Sequence, residues 1–291
     1  MKEIKFETPA DLNKSISISA VLGLISEPFD TEGVATKTYN KHFNNPNSEY
    51  YQMSVKEIMD KWAAKGAASC HYGSLLDNYI GLILEKADEM DMEMFKLDYD
   101  FDGDERLQGV CNSFDRFVED YLNVHPELVF ITREQTVYLK ISEGNYIKGR
   151  FDALFYNTQT NRYLIVDWKS SVSVDKKITP WTGKLLGPAK NIYALNYNTY
   201  TLQTYFYKTA LETMGYIPEG IEVDCIIVQL PGTVVAESND VYCIHQTAFP
   251  YDKELMMKIF DYAFKKNLIL EKKNDYAFKK NLNLEEKNGT K

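Results

Sequence analysis

Histidine and cysteine are scarce in this 291-residue chain, at four each. Cys70, Cys111, Cys225 and Cys243 lie far apart with no Cys-x-x-Cys spacing, which argues against structural zinc and fits a reducing, cytoplasmic setting. No run of eighteen apolar residues occurs, so no membrane span and no membrane partner is expected. The first residues, Met-Lys-Glu-Ile-Lys-Phe-Glu, lack the apolar stretch of a signal peptide. Basic residues are also in deficit, 33 against 42 acids, for a net charge of −9. The deficit is local. Residues 85–105 hold ten acids against Lys86 and Lys96. The near-neutral remainder can still present a basic groove.

The chain is 44% hydrophobic, ample for a core. Its most informative stretch runs from Gly149 to Lys169. Residues 151–156 are rich in aromatics and 163–166 are apolar and β-branched, with the polar cluster 157–161 between them. The pattern predicts a β-hairpin. Asp152 falls in the first strand and Asp167 and Lys169 at the end of the second. Strand alternation puts Asp167 and Lys169 on one face and Trp168 on the other, leaving the Trp168 backbone carbonyl as a further oxygen ligand. Two carboxylates and an amine at a strand end can hold a divalent metal and manage a water. Asp-x-Lys alone is weak, because acid-x-Lys also occurs at 175–177, 271–273 and 285–287. Here, however, an apolar run leads straight into the acid, and buried charges are rarely unpaired.

Helices are expected over 55–65, 67–89, 107–124 and 252–267, with a short one near Ala20, and strands over 128–131, 135–141 and 224–229. The connection 179–198, with Trp181, Gly183, Gly187 and Pro188, is long enough to contact a substrate. Residues 200–214 predict a helix capped by Gly215, with Gln203 and Tyr207 four apart on one face. Asp98-Tyr-Asp-Phe-Asp-Gly103 begins like a calcium loop, but Glu105 and Gly109 occupy its apolar and bidentate-glutamate positions, so a solvated acidic loop is expected. Residues 261–274 and 275–288 form a tandem repeat identical at twelve of fourteen positions. Two copies are too few for a solenoid. The repeat reads as a duplication adding a tolerated tail, with a basic nucleic-acid arm as the rival.

Gly149-x-x-Asp152, Asp167-x-Lys169 and Gln203-x-x-x-Tyr207 together resemble the RecB-like branch of the PD-(D/E)XK nucleases, most closely its phage-type exonucleases. Residues 191–207, with Pro188 just before them, resemble the Pro-Leu…Tyr-x-Leu-Gln-x-x-x-Tyr stretch of phage-encoded members of that branch. Ser17-Ile-Ser19, Pro28-Phe-Asp30 and the run from Trp62 to Asp77 resemble its N-terminal motifs. The resemblance implies an α/β fold: a restriction-endonuclease-like central mixed sheet flanked by helices, with a helical N-terminal elaboration. It implies one domain over 1–260, helical over about 1–125 with a catalytic core over about 126–250, and a helical tail over 261–291. It implies Mg²⁺- or Mn²⁺-dependent hydrolysis of DNA in recombination or repair, with a single-strand annealing protein or recombinase as a further partner.

In that scheme Asp152, Asp167, the Trp168 carbonyl and Asp77 hold the metal, with Glu134 as a further acidic candidate. Lys169, Gln203 and Tyr207 act on water or on the DNA strand. The family's histidine is replaced here by Asp77, and its following glutamate falls on Gly81. The four-cysteine pattern of relatives that carry an iron–sulfur cluster is missing, so none is expected. A catalytically inactive nuclease-like module that binds DNA or protein, and a phosphoesterase acting on small nucleotides, are the rival readings.

Overall fold

The computed structural model describes residues 4–179 and 182–288, with side chains as far as Lys273. Trp181 lies outside the described residues. The chain runs β1 (Lys14–Ser17), α1 (Ile18–Leu24), α2 (Thr31–His42), α3 (Val55–Leu84), α4 (Glu89–Asp98) and α5 (Glu105–Phe117). It continues through β2 (Leu128–Ser142), β3 (Asn145–Asn157), β4 (Arg162–Lys169), α6 (Asn196–Thr213), β5 (Val223–Gln229), β6 (Cys243–Gln246) and α7 (Lys253–Asn288).

The fold is α/β, a mixed sheet of six strands flanked by helices. β3 is its hub. The hairpin that joins it to β4 is tied by Asn157, whose side-chain oxygen accepts the backbone N–H groups of Gln159 and Thr160. On one edge β3 pairs antiparallel with β2 along nearly its whole length. Its other edge is shared: β1 runs parallel beside residues 145–148, and β4 antiparallel beside residues 153–157. Residues 149–152 lie in the fork between those two partners. β5 then pairs parallel with β4, and β6 antiparallel with β5.

Each sheet face carries its own core. α1, α6 and α7 cover one, burying Phe206 and Phe260 against Ile147, Phe151 and Ile165. α3 and α5 cover the other, burying Leu76, Phe114 and Phe117 against Val166, Trp168 and Val228. Each such large apolar side chain contributes roughly 1.5–3 kcal/mol.

Four expectations change. The helices expected at 55–65 and 67–89 are one, α3, started by a capping box between Ser54 and Glu57. Gly66 costs about 1 kcal/mol within it but does not break it. The strands expected at 128–131 and 135–141 are also one, β2. Glu134 lies inside it with φ 53°, opposite Asp152, between the pairs Arg133–Ala153 and Gln135–Phe151. The acidic run at 98–103 is the end of α4 and a single tight helical turn, and Asp104 caps α5 by accepting the N–H groups of Arg106 and Leu107. α7 crosses the expected boundary at 260/261 without a break. Ala263 and Phe264 sit in the core, Lys14 pairs with Glu271, and Lys266 Nζ donates to the Leu24 carbonyl. The first repeat copy is therefore part of the body, not of a tail. Among the described residues, no helix is long and apolar enough to cross a membrane.

Candidate active site

The fork in the sheet brings the acids together. Ala153 is paired with Val166, so Asp152 comes opposite Asp167 one step further on, where the backbone ladder has ended. Asp152 Oδ2 instead accepts the Trp168 backbone N–H at 2.7 Å. N–H and C=O of one strand residue point to the same side, so the Trp168 carbonyl opens toward Asp152 as well. Side-chain alternation breaks at this point in β3. Phe151 and Leu154 face the same core although they are an odd three positions apart. Asp152 lines a pocket together with Asp77 of α3.

Asp167 is fully buried. Its Oδ2 lies 2.6 Å from Lys169 Nζ, as the shared strand face requires, and Oδ1 has no hydrogen-bond partner among the described residues. Lys169 Nζ also lies 5.0 Å from the centre of the Tyr200 ring, a cation–π contact that fixes the ammonium from α6.

α3 supplies Asp77 from one layer. It shares a pocket of about 150 Å³ with Gly73, Leu76, Asp152, Trp168, Lys169 and Ser170. α6 supplies Gln203 and Tyr207 from the other. Gln203 Nε2 donates to Tyr207 Oη at 2.9 Å, and Tyr207 Oη donates to the Arg150 carbonyl at 2.8 Å. The tyrosine thereby satisfies a backbone acceptor in the fork. Gly149 makes its approach possible: a Cβ there would lie 2.6 Å from Phe206 and 2.9 Å from Tyr207.

Charge in this space is unbalanced. Asp77, Asp152, Asp167 and Glu134 converge on Lys169 and Arg150. Burial raises Asp167 to about 7, with Lys169 opposing and Asp152 adding to the rise. Burial, then repulsion from Asp152 and Glu134, raises Asp77 to about 7. Burial raises Asp152 in the same direction against the pull of Lys169. Burial would lower Lys169, but Asp167 and Asp152 hold it above its ordinary value. Burial and the two aspartates keep the Tyr207 phenol protonated. Buried oxygen donors, an orphaned carboxylate oxygen and more acids than bases fit a hard divalent cation.

Every sequence-predicted site residue lies around this fork, but they do not all stand free. Glu134 is engaged by Arg150, with Nε 2.7 Å from Oε2, so its first partner is a guanidinium. Gln203 contacts Tyr207, not an acid. Gly81 leaves room for Arg133: a Cβ there would lie 2.1 Å from Arg133 Nη2, whose guanidinium also pairs with Glu85.

Sequence reasoning missed Arg150, Tyr200 and Arg133. Arg150 sits two residues before Asp152. Tyr200 precedes Gln203 by three, on the helix face that also bears Tyr207. Those spacings were available; the contact of Arg133 with Gly81 is tertiary and left no local signal. Comparison with protein-family models finds no match, and comparison with curated proteins finds none either.

Proposed function

We propose that this chain is a metal-dependent DNA nuclease with a restriction-endonuclease-like core, an exonuclease of the RecB-like PD-(D/E)XK kind. The observation that carries the reading is the convergence of Asp77, Asp152 and Lys169 on one small pocket in the sheet fork, with the buried Asp167 2.6 Å behind the Lys169 ammonium. Asp152, Asp167 and the Trp168 carbonyl would hold Mg²⁺ or Mn²⁺, with Asp77 as the added carboxylate. The bound cation supplies polarisation of a phosphate and a more acidic water. Asp167 and Tyr200 keep the Lys169 ammonium at the pocket, where it stabilises negative charge developing on phosphate oxygens. Gln203 and Tyr207 hold the backbone around Arg150 in place.

A second cavity of about 720 Å³ shares Ser170 with this pocket and is lined by Lys65, Arg106, Ser171, Ser173 and Asn196. Hydroxyls, an amide and two cations against the single carboxylate of Glu105 suit a phosphodiester chain leading to the metal. DNA is the proposed partner, with an annealing protein or recombinase acting on the product strand.

Digestion of end-labelled linear and circular DNA, with Mg²⁺ and with excess EDTA, tests the reading. Loss of label from linear DNA alone, only with Mg²⁺, is the expected outcome. Undiminished cleavage in EDTA would remove the metal from the scheme. One observation favours the rival, a nuclease-like binding module without catalysis: Arg133 fills the space over Gly81 where the family has a carboxylate. DNA binding without cleavage under any divalent ion would favour that module.

A further inference from the structure

Outside the acid cluster, a second set of metal-type donors converges among the described residues. β6 carries Cys243 and His245 two residues apart, so both side chains leave one face of the sheet. Cys243 Sγ lies 3.7 Å from His245 Nδ1, and Glu237 Oε2 lies 3.7 Å from the same nitrogen. The three donor atoms lie within 4.8 Å of one another. Ligand-to-ligand edges around a tetrahedral zinc with sulfur, nitrogen and oxygen measure about 3.3–3.6 Å, given its bond lengths. Glu237 is the exposed member and has the freedom to close the remaining gap.

The imidazole is set for ligation. Gln229 Nε2 donates to the Ser171 carbonyl at 3.0 Å, which turns Gln229 Oε1 toward His245 Nε2 at 2.9 Å. The hydrogen therefore belongs on Nε2, and the Nδ1 lone pair faces Cys243 and Glu237. His245 is 3% exposed and Gln229 2%, so the tautomer is held inside the fold. A cation already stands at this point. Lys176 Nζ lies 2.7 Å from His245 Nδ1 and 2.7 Å from Glu237 Oε2.

We propose that Cys243, His245 and Glu237 form a site for a zinc-class transition-metal ion, with the Lys176 ammonium as its stand-in when the ion is absent. On binding, the Cys243 S–H bond breaks and its proton goes to solvent. The thiolate, the neutral imidazole and the carboxylate take the ion, water fills the fourth position, and Lys176 withdraws with its charge intact. Sulfur and imidazole select zinc-like ions, whereas the oxygen-lined fork two strands away suits Mg²⁺. The ion would pin the edge strand β6 to the turn that precedes it, independently of the nuclease reading.

Cobalt(II) titration of the full chain tests this. A thiolate-to-cobalt charge-transfer band with the visible bands of a tetrahedral ion is expected. An ion held only by the carboxylates of the fork gives no such charge-transfer band. Cys243→Ser should abolish the band, and Lys176→Met, by removing the competing ammonium, should tighten cobalt affinity by about tenfold or more. A band that persists in Cys243→Ser would belong to another thiol, such as the exposed Cys70, and would overturn the assignment. No band in a Lys176→Met protein that melts as the parent does would also overturn it, leaving a lysine-bridged polar network.

Discussion

Asp152 receives the backbone N–H of Trp168, so a carboxylate completes the ladder where β3 and β4 part. The residue thus has two separable duties, accepting a hydrogen bond and carrying charge. Asp152→Asn keeps an acceptor oxygen and removes the charge. It should abolish metal-dependent cleavage while leaving the metal-free melting temperature unchanged or raised. Asp152→Ala removes both and leaves a buried N–H unpaired, which should cost about 1–3 kcal/mol. Equal melting temperatures for the two variants would show that the hydrogen bond does not hold the fork.

Stability without metal should fall as pH rises. Asp77 and Asp167 titrate at about 7 in the fold, against 3.8 as the ordinary value. For an acid whose folded value is raised, the unfolded chain loses its proton first. The stability conferred is full below about pH 4 and is lost as pH climbs through about 7. On the proposed reading Mg²⁺ would substitute for those protons, so it should flatten the profile and release protons on binding near neutral pH. Thermal melts at about pH 5 and about pH 8, with and without Mg²⁺, measure both effects. A metal-free profile that is flat over this range would mean that the carboxylates stay ionised in the fold.

The central hairpin and the shared face of Asp167 and Lys169 were legible because strand alternation is a short-range rule that these residues obey. The left-handed backbone at Glu134 was not, because positive φ at a glutamate has no propensity that announces it. Gly66 looked like a helix break, yet α3 runs through it because Ile58, Leu75, Leu76 and Ile80 are held by tertiary packing. Tyr200 was visible at the right spacing, but an aromatic on a helix face reads first as core, and only the nearby ammonium gives it another part. The 260/261 boundary followed the repeat pattern, whereas burial of Phe264 follows from the length of α7 lying against α1.

Gly149 tests whether the tyrosine on α6 matters to the fork. Gly149→Ala would push its Cβ into Phe206, Ile18 and Tyr207. Overpacking of this kind costs about 1–3 kcal/mol. It should also shift Tyr207 away from the Arg150 carbonyl, so turnover should drop further than the melting temperature predicts. A variant that melts and cleaves as the parent does would show that α6 can give way freely.

The repeat separates by truncation. Deleting 275–291 should change cleavage and melting temperature little, since the second copy replaces Ile269 with Asn283 and Lys272 with Glu286. Deleting from 261 onward removes the buried Phe264 and Ala263 and should cost about 3 kcal/mol or more. A large loss of DNA affinity in the shorter deletion would instead make the second copy a nucleic-acid arm.

Asp77 decides how the proposed site is completed from the α3 side. It lines the same pocket as Asp152 and Lys169, and Asp152 repels it. An added carboxylate strengthens a site for a hard cation and raises the cost of leaving that site empty. Asp77→Asn should therefore relieve the metal-free protein, raising its melting temperature above neutral pH. It should also weaken Mg²⁺ affinity by about tenfold, because ligand charge sets affinity for hard ions. The metal-induced rise in melting temperature, which tracks binding to the native state alone, should shrink accordingly. On the proposed nuclease reading, Asp77→His should keep cleavage with Mn²⁺. If Asp77→Asn leaves both the metal-free melt and the Mg²⁺ response unchanged, Asp77 is not a ligand, and the ion is held by Asp152, Asp167 and the Trp168 carbonyl alone.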